Sequence, residues 1–185
     1  ITLAAALGGE YIGEPVVASA AFFGAQVSRT YWPLKIPPVE WGGRFILKRF
    51  AQLSGSRLKR GPEDEPIGLA LESMRWYGLF GRFGDRDKDW WAGLANVQLP
   101  VLAVSAAGDH QDPAWACRKL FDQLGSPQKQ FINLGREQGF GDNFGHVEML
   151  VSKAAQAEVW PLVVRWLNDQ HTPLLGEKPD LAAAV

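Results

Sequence analysis

The chain has 185 residues, 46% hydrophobic and 21% charged, with a net charge of −1. Those fractions describe one globular domain with room for a proper core and exclude a disordered chain. The near-neutral balance gives no electrostatic case for nucleic acid or an anionic membrane, and no run reaches the roughly 18 apolar residues of a membrane span.

In chain order, residues 1–7 read as an Ala- and Leu-rich helical piece stopped by Gly8-Gly9. Residues 15–23, PVVASAAFF, form a short apolar run expected to be a buried strand, with 24–29 as the loop at its end. The texture then changes. Pro33, Pro37 and Pro38 break the chain, and residues 41–53 place Phe45, Ile46, Arg49, Phe50 and Leu53 at helical spacing. Residues 54–66 form a charged connection, in which Lys59-Arg60 is a small solvated basic cluster. A second amphipathic helix is predicted over 67–80, and Asp89 is placed to cap a third that carries Trp90, Trp91 and Leu94. Five of the eight tryptophans fall between Trp32 and Trp91.

Residues 99–105, LPVLAVS, are the best strand in the chain, apolar enough to be buried on both faces. Asp109 follows at its carboxyl end, where open α/β sheets place their chemistry. Asp112-Pro113 then reads as the cap and first turn of a helix over 117–124. Residues 130–134 form a last strand and 135–145 a glycine-studded loop ending in Gly145-His146. Residues 147–150 and 154–167 look helical, with Pro161 in or near a first turn or kinking the helix. The tail from Asn168 shows no periodicity and is expected to be poorly ordered.

An acid and then a histidine, on consecutive strand ends and in that order, form the back part of a nucleophile–acid–base triad. His146 is the expected base and Asp109 the acid that would fix its tautomer; Asp112 and Asp142 are the rivals for the acid. His110 and His171 read as non-catalytic. Cys117 reads as a packed core thiol, and Ser19 and Ser105 sit inside predicted strands rather than on an exposed turn. The histidines and the lone cysteine lack metal-ligand spacing, so no metal is expected.

These residues resemble the α/β-hydrolase family, whose acid-bearing strand reads P-V-L-x-x-x-G-x-x-D-x-x-x-P. Pro100-Val101-Leu102 and Asp109 to Pro113 reproduce that spacing, with Ala106 at the glycine position, and Gly145-His146 matches the family's base. The resemblance implies a parallel sheet with crossover helices, residues 1–29 and 99–170 being core, 30–98 a helical lid and 171–185 a tail. It also implies an esterase- or lipase-like serine hydrolase without cofactor, acting on a small molecule with a hydrophobic part. The family's G-x-S-x-G elbow does not occur in the sequence. The serine is therefore expected from a missing N-terminal half or a companion chain, and these residues alone are expected to be inactive. Acyl transfer, carbon–halogen cleavage and a non-catalytic interaction module are the alternatives. The compartment stays open, with the cytoplasm favoured.

Overall fold

The computed structural model describes residues 17–27, 32–56, 63–81, 83–84 and 87–171. The expected helix over 1–7, the first two residues of the expected strand over 15–23, and residues 172–185 of the tail lie outside these. In chain order the elements are β1 (Ala20–Phe23), α1 (Pro37–Leu47), β2 (Gln52–Leu53), β3 (Glu65–Pro66), α2 (Ile67–Tyr77), α3 (Trp90–Gly93), β4 (Val101–Ala106), α4 (Ala114–Gln123), β5 (Lys129–Leu134), α5 (Glu148–Val151) and α6 (Lys153–His171). The chain divides into two compact units, one of Ile1–Gln26 with Ala95–Val185 and one of Val27–Leu94.

In the first unit, β1, β4 and β5 form a parallel sheet in the order β1-β4-β5. All six residues of β4 are buried, as its unbroken apolar sequence requires of a central parallel strand. The period of two sorts its side chains. Leu102, Val104 and Ala106 join Leu134, Phe144, Met149, Ala155 and Val159 in one core cluster, with Leu162, Val163 and Trp166 packed against it, so α5 and α6 cover this face. On α4, Ala116, Cys117, Leu120 and Phe121 are buried, and Phe121 meets Phe131 of β5 edge-on at 5.4 Å. Phe131 belongs to the alternate face, so α4 lies opposite α5 and α6. The Lys129 ammonium donates to the carbonyls of Phe121, Asp122 and Leu124, closing the C-terminal end of α4 where a cation is favoured.

Three expectations in this unit need correction. The first strand begins only at Ala20, with Val17 to Ser19 outside the ladder. Asp112 does not cap α4: Pro113, whose ring has no acceptor, occupies the N-cap position, and the Asp112 carboxylate accepts from Gln26 instead. Helix α6 continues through Asn168 to His171 instead of ending at Leu167, with Pro161 inside it, the second of the two places expected for that proline.

The second unit is mostly helical. Pro37 and Pro38 occupy the first turn of α1, where a missing N–H costs nothing, so the helix starts there and not at Trp41. It ends at Leu47, because Gln52 and Leu53 leave the helix to pair antiparallel with Glu65 and Pro66. Helix α2 stops at Tyr77, before Gly78, short of the expected Phe80. Asp89 does cap α3, accepting from the Ala92 amide at 3.0 Å. Trp76, Phe83 and Trp90 pack edge-to-face at 5.0 to 6.3 Å, an aromatic knot inside the unit. Beside it, the Glu72 carboxylate accepts from Arg75 and from the Trp76 indole; the Arg75 hydrogen bond is the main reason its carboxyl is held below the usual range. Trp32 and Trp41 stay 69% and 65% exposed.

Candidate active site

The site is built where β1, β4 and β5 run out at their carboxyl ends. After β4 the chain turns sharply, with the Asp109 amide donating to the Ala106 carbonyl, and this brings the Asp109 carboxylate inward with its side chain fully buried. One oxygen, Oδ1, accepts from the amides of Gln111 and Asp112, both at 2.9 Å. The other, Oδ2, lies 2.9 Å from Nδ1 of His146. Two backbone donors therefore fix the plane of the carboxylate and aim its second oxygen at the imidazole. A carboxylate can only accept, so Nδ1 is the donor and Nε2 is left as the basic nitrogen.

His146 reaches this position on the loop after β5. Phe144, 2% exposed, anchors the loop in the core, and Glu148 accepts from the Gly145 amide at the entry to α5. The loops bearing the two residues are joined by backbone, since the Gly108 amide donates to the carbonyls of Asn143 and Phe144. A Cβ at Gly108 would fall 2.3 Å from the Asn143 oxygen, so only glycine allows this approach. At the end of β1, Gly24 adopts φ +56° and faces the pair, its missing Cβ 3.4 Å from Asp109 Oδ2 and His146 Nδ1.

Among solved structures, the chain is similar to a monoacylglycerol lipase from Paleococcus ferrophilus (TM-score 0.55, 14% identity, 91% of this chain and 65% of that one). It is similar as well to Rv0554 from Mycobacterium tuberculosis (TM-score 0.51, 12% identity, 90% and 63%) and to a structure from work on the metagenome-derived lipolytic enzymes LipS and LipT (TM-score 0.50, 16% identity, 91% and 60%). The fold is that of the α/β-hydrolases. At these identities the likeness speaks for the fold alone. No family model matches the sequence. Among curated proteins, 79 residues are 28% identical to the poly(3-hydroxyalkanoate) polymerase subunit PhaC of Haloarcula marismortui, spanning 43% of this chain and 15% of that protein. The chain thus spans under two thirds of the structures it matches and a small part of the curated relative.

Within this α/β-hydrolase fold the other candidates fall apart from the pair. Asp142 lies in the exposed loop, bonded to Arg136 and to the Asn143 amide as a turn former. His110 is exposed, and the side chain of His171 lies outside the described residues. Ser105 is buried in β4 and donates to Asn133 Oδ1 at 2.9 Å, while Ser19 stands just before β1. Burial, with the nearby charges of Asp112 and Asp109 adding to it, pushes the Cys117 thiol up to about 12, which leaves it protonated and inert. Asp112 does join the site. Its Oδ2 is 3.3 Å from His146 Nδ1, and its Oδ1 accepts from Gln26 Nε2 at 2.8 Å. Sequence reasoning missed Gln26 altogether; the available signal was its place just past the end of a parallel strand, where such loops converge. Donor atoms of Asp109, Asp112 and His146 all lie within 4.8 Å of one another, and the contact between Asp109 and His146 has hydrogen-bond length. No helix among the described residues is long and apolar enough to cross a membrane.

Proposed function

We propose that these residues supply the acid and the base of a Ser-His-Asp triad in a serine hydrolase that cleaves an ester or related acyl bond. The observation that carries this reading is the buried Asp109 carboxylate bonded to His146 Nδ1 at 2.9 Å on neighbouring strand ends. Nε2 takes the proton of an attacking serine hydroxyl and returns it to the leaving group, while Asp109 stabilises the imidazolium formed between the two steps. The serine comes from outside these residues, since the sequence holds no G-x-S-x-G and both Ser105 and Cys117 are buried away from this task. The helical segment 30–98 is read as the lid, and its aromatic content suits a substrate with a hydrophobic acyl or aryl part. The lipolytic neighbours support the fold on which this reading rests.

The test is labelling with a fluorophosphonate probe. The 185-residue chain alone should not react, whereas the intact protein that carries the serine should label. His146→Ala should abolish that labelling, and Asp109→Asn should slow it on the order of 10⁴-fold. Rapid labelling of the His146→Ala protein would sink the assignment. The partial likeness to a polyester polymerase subunit favours a second reading, acyl transfer to a hydroxyl instead of water. Product analysis separates the two: a free acid for hydrolysis, a new ester when a hydroxy-acid acceptor is present for transfer.

A further inference from the structure

Nδ1 of His146 meets two carboxylates, not one. Asp109 Oδ2 accepts its hydrogen bond at 2.9 Å, and Asp112 Oδ2 stands 3.3 Å away from the same nitrogen. Asp112 is itself held on three sides. Gln26 Nε2 donates to its Oδ1 at 2.8 Å, its amide donates to Asp109 Oδ1 at 2.9 Å, and its carbonyl accepts from the Cys117 thiol at 3.3 Å. Gln26 is brought there by β1, Asp112 by β4 and His146 by the loop after β5, so all three strand ends meet at one ring. The Asp112 side chain is only 23% exposed, which limits how far water screens it.

We propose that Asp112, fixed by Gln26, is a positioning residue that acts through His146 as a second counter-ion to the imidazolium. The inference rests on the reading of His146 as the base. Two carboxylates stand together at Nδ1, with only the neutral donors of Gln26 and the backbone amides beside them to offset their mutual repulsion. When Nε2 accepts the serine proton, the ring gains one positive charge and both carboxylates are then compensated. The interaction is stronger in the transition state than in the ground state, which is the condition for raising kcat rather than tightening substrate binding.

The experiment follows p-nitrophenyl butyrate hydrolysis by the intact protein. Asp112→Asn keeps the shape and the bond from Gln26 while removing the charge. It should lower kcat about tenfold, leave KM unchanged and leave the thermal unfolding midpoint where it was. Gln26→Ala keeps the charge but releases it, and should cost about threefold in kcat. A structural role for Asp112 predicts the reverse, a harmless Asn, and wild-type kcat in Asp112→Asn beside an inactive His146→Ala overturns this inference while leaving the proposed function intact. Full activity in His146→Ala overturns both. Should Asp112→Asn fail to fold, wild-type kcat in Gln26→Ala overturns the inference by itself.

Discussion

Cys117 shows how one buried side chain writes itself into the stability curve. Its thiol is held protonated up to about 12, chiefly by burial, against an ordinary value of 9.0. Because the folded value is the raised one, the stabilisation is complete below 9.0, where both states are protonated. Above that the unfolded chain loses a proton that the folded chain keeps, so stability should fall by about 1.4 kcal/mol per pH unit until about 12. Denaturant titrations at pH 8, 10 and 11 should show a plateau giving way to this slope in the parent, and no such slope in Cys117→Ala. A flat parent curve would mean the thiol is better hydrated than its position suggests. At this scale the sequence was informative only where partners are local or follow a spaced motif. Asp109 and His146 were legible because each follows a strand that hydrophobicity marks, the one at once and the other at the close of a glycine-rich loop. Asp112 was misread as a cap, since its real partner, Gln26, is 86 residues away and nothing in the local pattern points to it.

Among the elements, the loops after β4 and β5 are the ones tied to each other backbone to backbone. The Gly108 approach to the carbonyls of Asn143 and Phe144 is steric: a Cβ there would sit 2.3 and 2.8 Å from the two backbone oxygens, and neither can swing aside. Gly108→Ala should therefore separate the loops, cost about 2 kcal/mol in unfolding free energy, and weaken the contact between Asp109 and His146. Equilibrium unfolding of the chain and the NMR signals of the His146 ring would check it; wild-type values in both would mean the loops are not coupled here. The helices were readable wherever apolar spacing was regular, but their ends were not. The prolines at 37 and 38 read as breakers although a helix can begin on them, and the pairing of Gln52–Leu53 with Glu65–Pro66 is too short to leave an alternation in the sequence.

At the scale of the molecule, the two units differ in how they are held. The first has a central strand buried along its whole length and a continuous apolar cluster beneath it. In the second, no side chain of α1 or α3 is fully buried, and Phe45, Ile46 and Phe50 stay more than half exposed. Amide exchange should divide accordingly. Amides of β4 should exchange only through global unfolding, and those of α1 at least ~100-fold faster through local opening. Equal protection of α1 and β4 would show that the second unit unfolds only with the sheet. The parallel sheet was legible as a whole because strands buried on both faces read as apolar runs. How the aromatic-rich segment divides between its inner knot and its exposed rings was not, because composition counts tryptophans without saying which of them find one another.

The hydroxyl of Ser105 bonded to Asn133, inert as chemistry, works as a ruler for the chemistry above it. These two residues stand opposite one another in the ladder. Sliding β5 by one position would set Ser105 against Ile132 or Leu134 and strand a hydroxyl that has no access to water, a penalty of about 1–3 kcal/mol. Each such step would also carry the His146 loop about 3.3 Å along the sheet, farther than a hydrogen bond to Asp109 can stretch. A polar pair deep between two strands thus calibrates the distance between a carboxylate and an imidazole that it never touches.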